Sequence, residues 1–270
     1  MEENLQRLQE VLHGNSSVYH MINNPEKYYY SKTQPKMKFG RPQLDDKGEV
    51  KLRRLTPPVT SLKIIQQEIC YHLQKAELPN CFYGSVEELN NIDNALQHIH
   101  NKFFLTIDLK SFFDNITNTQ IHRVFTEKNF SWDDARMLTK LTTYKGRLPQ
   151  GAPTSPILAN LAFAKTAQQL QALVKRHKIT FTTFLDDLSF SSMRDFKSLV
   201  PDLLKTIREN KFYPHHEKIH YRKNTCEITG LIVGNGKLRL TAETKSEAKK
   251  NQLVKAYTLR VQKQYNAYLG

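Results

Sequence analysis

Cysteine is scarce in this sequence: Cys70, Cys81 and Cys226 form neither a CxxC pair nor an even framework. That excludes a disulfide-stapled secreted scaffold, offers no zinc site and fits reduced thiols in a cytosolic protein. Long apolar runs are missing too, and no stretch approaches the roughly 20 residues of a membrane-spanning helix, so no membrane partner is expected. The start, MEENLQRLQEVLHGNS, carries acids and polar residues where a signal peptide has basic residues and then an apolar run. Acidic charge is also in short supply. Against 40 Lys and Arg stand 26 Asp and Glu, a net charge of +14 and a pI near 9.6, with the basic residues spread along the whole chain. Solubility alone is served as well by a modest negative charge, so the excess points to a polyanionic partner, nucleic acid first. The 270 residues leave room for one large body with small appendages.

What is present reads as helices and strands without internal repeats. Leu5, Leu8, Val11 and Leu12 fall at helical spacing before Gly14, which predicts a short amphipathic N-terminal helix. NNPEKYYYSKTQPKMKFGRPQLDDKGEV is rich in Pro, Gly, Lys and Tyr without periodicity, a basic and aromatic surface segment that is either linker or nucleic-acid contact. KLRRLTPP predicts a strand ended by a proline turn. Leu62, Ile65, Ile69 and Leu73 then line one face of a helix, with Ser61 as its candidate cap. A polar helix is expected over SVEELNNIDNALQHIHN, a strand ending at Asp108 in KFFLTIDLK, and helices over TQIHRVFTEK and WDDARMLTKLTTY. A long helix follows, with Ile157, Leu161 and Ala164 on its buried side. KITFTTFLDDLSFSS predicts a hairpin, MRDFKSLVPDLLKTIREN a helix, and TCEITGLIVGNGKLRL a second hairpin turning at Gly234-Asn235-Gly236. The tail is a basic amphipathic helix or helix pair.

Two adjacent aspartates, Asp186 and Asp187, interrupt FTTFLDDLSFSS. On that fragment alone, a solvated hairpin corner from Leu185 to Leu188 accounts for them. Asp108 changes the weighing, because it too stands at a strand end, and adjacent strands of one sheet would bring the three carboxylates together. Converging carboxylate oxygens are what Mg²⁺ requires, and the cations would relieve the repulsion between the acids. In a strongly basic protein such a site points to phosphoryl or nucleotidyl transfer.

LTIDLKSFFDNI, LPQGAPTSPILANL and FLDD follow one another in the order and spacing of the palm of bacterial-type reverse transcriptases, and the chain resembles that family from about residue 45 to 240. KLRRLTPPVTSLKIIQQEI is similar to the fingers segment of the family. Asn94-Ala95-Leu96-Gln97-His98 resembles the N-A-x-x-H element of the retron branch, and EITGLIV its V-T-G element with Ile228 in place of Val. Together they favour a retron-type enzyme over a group II intron maturase. The resemblance implies an α+β right-hand polymerase whose palm is an antiparallel sheet packed on helices. Its parts would be an N-terminal helix and basic, aromatic extension over 1–44, fingers and palm over 45–240, and a short basic helical thumb over 241–270.

The same resemblance implies roles. Asp108 and Asp186 would bind two Mg²⁺ ions, with Mn²⁺ as a substitute, Asp187 as a supporting acid and the Leu109 carbonyl as a further ligand. Lys51 and Arg53 would meet the triphosphate of the incoming dNTP, although an edge strand with solvated basic residues would look the same. Phe113 matches the aromatic gate that rejects a ribose 2′-hydroxyl. Gln150 and Gly151 would line the nucleotide pocket, and Lys218 in HHEKIHY would protonate the pyrophosphate. Two positions depart from the pattern: His215 stands where the family has Asn, and Phe184 replaces the Tyr of the Y-x-D-D box. The implied function is RNA-directed DNA synthesis in the bacterial cytoplasm, in anti-phage defence. A structured non-coding RNA would supply template and a priming 2′-hydroxyl for the nascent DNA, and an effector protein is a further implied partner. Rival readings are a defence polymerase making protein-primed or untemplated DNA, and a catalytically silent RNA-binding scaffold. Asp108, Asp186, Asp187, Gln150 and Arg53 together argue against the scaffold.

Overall fold

A computed structural model describes residues 12–14 and 16–270; the expected N-terminal helix over Leu5, Leu8 and Val11 lies outside the described residues. In chain order come helix α1 (Ser16–Asn23), strands β1 (Lys32–Pro35), β2 (Met37–Lys38), β3 (Arg41–Pro42) and β4 (Leu52–Leu55), and helices α2 (Thr60–Leu73) and α3 (Asn91–Leu96). Strand β5 (Phe103–Leu109) leads to helices α4 (Phe112–Asn115), α5 (Asn118–Glu127), α6 (Trp132–Thr142) and α7 (Ser155–Lys175). Strands β6 (Thr180–Phe184) and β7 (Asp187–Ser192), helix α8 (Val200–Glu209) and strand β8 (Pro214–Lys223) follow. Strands β9 (Cys226–Ile228), β10 (Leu231–Gly234) and β11 (Lys237–Leu240) precede helices α9 (Ala242–Ala248) and α10 (Gln252–Leu269). The chain divides into two compact units: the described residues up to 36 with 42–78 and 111–165, and 37–41 with 79–110 and 166–270.

The first unit is mainly helical. Leu62, Ile65, Ile69 and Leu73 recur at helical spacing in α2 and all four are buried, each contributing about 1.5–3 kcal/mol. Ser61 does not cap this helix. Val59 occupies the cap without a side-chain bond, and Ser61 already lies inside the first turn. Thr117 with Gln120 closes a capping box on α5, and Ser131 accepts from Asp134 N at the start of α6. Between helices, the buried Tyr29 hydroxyl donates to the Leu141 carbonyl at 3.1 Å, and Gln66 Nε2 reaches both Tyr29 Oη and the Leu141 carbonyl at 2.7 Å. The segment without periodicity is not all loop: β1 pairs antiparallel with β4, Gln34 opposite Arg53. Both strands are largely exposed, so no buried face imposes a two-residue period on their sequence.

The second unit is built on a four-stranded antiparallel sheet of order β6-β7-β5-β8. Side chains alternate across it. Leu105, Ile107, Leu109, Leu188 and Phe190 are buried on one face, where Phe181 stacks on Phe190 with centroids 4.6 Å apart. The other face carries hydroxyls, and the fully buried His98 fills it, with Nδ1 2.6 Å from Ser191 Oγ and Nε2 2.8 Å from Thr182 Oγ1. The expected polar helix shrinks to α3, opened by an Asn90–Asp93 capping box. Instead of a single hairpin, β9, β10 and β11 form a three-stranded meander, because Thr229 and Gly230 both take positive φ and turn the chain once before Asn235-Gly236. Ile92, Ile99, Phe104, Ile228, Leu231 and Val261 belong to one core cluster linking α3, the sheet, the meander and α10.

Burial among neutral hydroxyls lowers the His98 imidazole from 6.5 to about 3. Below about pH 6.5 the unfolded chain takes up a proton that the folded chain refuses, so the stability His98 allows above that pH is lost progressively as pH falls towards 3. The unfolding free energy of the wild type minus that of His98→Gln should shrink by about 1 kcal/mol between pH 6.5 and 5.5 in denaturant titrations. Equal pH slopes for the two proteins would show that the imidazole is not held neutral.

Candidate active site

Strand β5 reaches the rim of the sheet at Asp108, and its partner across the ladder is Asp187, the first residue of β7. Like charges facing each other weaken a ladder, so the pair stands where pairing ends. A two-residue turn, Leu185-Asp186, joins Phe184 to Asp187, and Leu185 has φ +59°, a costly conformation for a branched side chain. Three contacts hold the turn. Thr183 Oγ1 donates to the Leu185 carbonyl at 3.0 Å, and Leu109 N donates to the Asp186 carbonyl at 2.9 Å. Residues 81–83 run along β6, with Thr183 N donating to Cys81 O at 2.7 Å and Tyr83 N to Thr183 O at 2.9 Å. Gly84 comes next, so close that a Cβ there would lie 2.7 Å from Leu185 N.

On the other side of β5 the ladder jumps from Ile107 opposite Ile219 to Leu109 opposite Pro214. Residues 215–218 therefore bulge, and such irregularities re-aim side chains. Lys218 sits in the bulge and its Nζ donates to Asp108 Oδ2 at 2.8 Å. That bond is the first reason the ammonium is raised above its ordinary value, with the charges of Asp108, Asp187 and Asp186 adding to it against desolvation. The Asp187 carboxyl is pushed up to about 7, by desolvation first and then by Asp186 and Asp108, while Lys218 pulls it down. Since Asp187 keeps an exposed surface, the repulsion between carboxylates is the part of that shift a bound cation would reverse. Among the described residues no three His, Cys, Asp or Glu side chains close into a ready metal cluster. Lys218 is a counterion to Asp108. The all-oxygen donor set and the crowding of three acids fit a hard divalent cation such as Mg²⁺ or Mn²⁺.

The remaining sequence candidates lie in the first unit. Arg53 is on β4 and Lys51 just before it, both exposed. Thr56 N donates to the Gln150 carbonyl at 2.7 Å, and a Cβ on Gly151, at φ +101°, would stand 3.5 Å from Leu55 Cβ and 3.7 Å from Pro57 N. The P-Q-G loop is thus fastened by its backbone to the end of the strand that carries Arg53. Phe112 is buried, edge-on to Phe163 at 6.1 Å, while the half-buried Phe113 lies 5.6 Å from Phe112. Core packing therefore falls to Phe112.

Three features of the second unit escape a reading of the sequence. Gly84 abuts the aspartate turn, and His98 clamps β6 to β7 behind it. The two short motifs also meet: Asn91 Nδ2 donates to Thr229 O at 3.0 Å, and Asn94 Nδ2 to Thr229 Oγ1 at 3.3 Å. The hydroxyls of Thr182, Ser189 and Ser191, all buried, are the feature of the sequence that could have pointed to a buried polar partner, though not to which one.

Residues 46–233 match the family of reverse transcriptases (RNA-dependent DNA polymerases). The chain belongs to the reverse transcriptase family. The matched span takes in every candidate residue from Lys51 to Lys218. Among members of the family the chain is similar to the retron Ec86 reverse transcriptase of Escherichia coli, 30% identical in an alignment 216 residues long that covers 76% of this chain and 66% of the relative. It is also similar to the retron Se72 reverse transcriptase of Salmonella heidelberg (strain 579083-10), 28% identical in an alignment 209 residues long that covers 72% of this chain and 55% of the relative. The chain thus spans between about half and two thirds of the length of these two reverse transcriptases, and they bear out the retron resemblance. In fold it is similar to the telomerase of Candida albicans in complex with a fragment of telomeric RNA, with TM-score 0.54, 11% identity and coverage of 83% of this chain and 50% of that one. Apo telomerase from Candida tropicalis gives TM-score 0.53 at 11% identity, covering 84% and 52%. These likenesses, which concern the fold alone, support the α+β right-hand polymerase architecture. Among the described residues no helix is long and apolar enough to cross a membrane.

Proposed function

We propose that the chain is an RNA-directed DNA polymerase of retron type, adding deoxynucleotides to a primer on a dedicated structured non-coding RNA. The observation that carries this reading is the Asp108–Asp187 pair at the rim of β5 and β7, with Asp186 in the turn between strands and Lys218 drawn onto Asp108. Two Mg²⁺ ions, or Mn²⁺, would supply activation of the attacking hydroxyl and neutralisation of the triphosphate when bound. Asp108 and Asp186 would hold them, with Asp187 and the Leu109 carbonyl in support. The primer hydroxyl would lose its proton to solvent as its oxygen bonds to the α-phosphorus and the bond to pyrophosphate breaks, and Lys218 would give the leaving group a proton. Arg53 and Lys51 would orient the triphosphate, and Gln150 and Gly151 the sugar and base.

Purified chain supplied with poly(rA)·oligo(dT), dTTP and Mg²⁺ should extend the primer. Absence of incorporation with either Mg²⁺ or Mn²⁺, on this substrate and on co-purifying RNA alike, would remove the reading. Phe113→Ala should raise ribonucleotide relative to deoxynucleotide incorporation by about tenfold or more, the scale of losing a steric discriminator. Phe112→Ala should instead lower stability by about 3–5 kcal/mol and leave discrimination unchanged. The retron likeness also supports a cytoplasmic role in bacterial anti-phage defence together with an effector protein. Phage plating on cells carrying the wild type or Asp108→Asn tests that role.

A further inference from the structure

Strand β7 runs from Asp187 to Ser192, about 17 Å, to the opposite rim of the sheet. There a cleft of about 590 Å³ opens, lined by Arg176, Lys178, Ser192, Arg194, Ser198 and Asp202 among others. Its cations come from two segments. Arg176 and Lys178 follow the end of α7, and Arg194 follows β7. Ser192 ties the segments together, its Oγ donating to Lys178 O at 3.3 Å and accepting from Arg194 N at 3.2 Å. Arg176, Lys178 and Arg194 are exposed, and among the described residues none of them makes an ion pair.

The acids at the cleft have other duties. Asp195 accepts from Tyr221 Oη at 2.8 Å and from Lys197 N at 2.9 Å, and Asp202 lies in the first turn of α8, where the helix dipole favours it. Cations just past the end of α7 would be accounted for by that helix's dipole. Arg194 follows a strand, so no helix dipole accounts for its charge, whereas an external anion does.

The cleft offers bases a single small ring, the exposed His177, too little to stack successive bases. Phe196 is 5% exposed and packs edge-on against Tyr221 at 5.2 Å and 70°, whereas single-strand grooves rely on exposed aromatic platforms. What remains is charge for phosphates and the Ser198 hydroxyl for sugar, the contacts by which paired RNA is recognised. We infer that this cleft binds the sugar–phosphate backbone of a paired region of folded RNA, remote from the catalytic carboxylates. The inference rests on the reading that the chain works on a structured RNA.

The test is fluorescence anisotropy of the full chain with a labelled RNA hairpin of about 20 base pairs, longer than the roughly 16 a shape-reading domain spans. The variant Arg176→Ala/Lys178→Ala/Arg194→Ala should bind at least about tenfold more weakly near physiological salt. The slope of log K against log salt should become shallower by about 2.7, as expected for three lost phosphate contacts to a duplex, with the melting temperature lowered by no more than the few degrees that losing two helix-end cations costs. Unchanged affinity and slope would overturn the inference, as would loss of a co-purifying acidic protein with hairpin binding intact. The polymerase reading fails or stands separately, on whether the wild type extends poly(rA)·oligo(dT).

Discussion

Asp108→Asn should slow primer extension by on the order of a thousandfold while leaving the melting temperature unchanged or slightly raised. The substitution keeps the size of the side chain and removes its charge, so it strikes at cation binding and not at packing. Stability has two opposed contributions. The Lys218 bond is lost, but the Lys218 side chain is 54% exposed, and such pairs contribute at most about 1 kcal/mol. Against that, one of the charges that press on Asp187 disappears. A residue retained for the fold would show the reverse pattern, with stability falling and the rate following it. Initial rates on poly(rA)·oligo(dT) and thermal melts of the same preparation separate the two cases. A rate within tenfold of wild type would sink the assignment of Asp108 to the metal site.

Gly84→Ala should lower the rate by about a hundredfold although it alters no polar group. A methyl at this position would stand 2.7 Å from Leu185 N, 2.9 Å from Phe184 C and 3.0 Å from Phe184 Cα, all of them backbone atoms. No flexible side chain can yield, so the turn itself must move. That turn carries Asp186 and sets the start of β7 at Asp187, with Leu185 already in the left-handed region. A shift approaching 1 Å at reacting groups is enough for a hundredfold loss, and the overpacking should lower stability by about 1–3 kcal/mol. Rates measured well below the melting temperature keep the two effects apart. Wild-type rates in a folded Gly84→Ala protein would show that the turn is not pinned from this side.

Much of the second unit was legible before any coordinates. Phe103 to Leu109 and the FTTFLDDLSFSS hairpin are strands with one buried apolar face, and a buried face writes its period into the sequence. Strand β8 was not legible because PHHEKIHYRK is a mostly exposed edge strand, under no pressure to alternate. For the same reason β1 left no signal, whereas β4 was legible in KLRRLTPP, where the prolines end the strand. Glycine in FYGSV looked like any loop glycine, since close approach by a distant turn leaves no mark on neighbouring residues.

By itself the sequence determined the family, through the ordered motifs, and singled out the candidate carboxylates, cations and loop. Residue types at fixed spacing carry that information locally. Only the tertiary structure decided how the carboxylates meet, since the Asp108–Asp187 pairing depends on strand register and the Lys218 contact on a bulge. Only it decided that the N-A-x-x-H and I-T-G elements meet at Asn94 and Thr229, and that His98 is a buried clamp. Register, bulges and buried polar pairings join residues about 80 to 140 positions apart, and the packing of the whole sheet selects them rather than any local pattern.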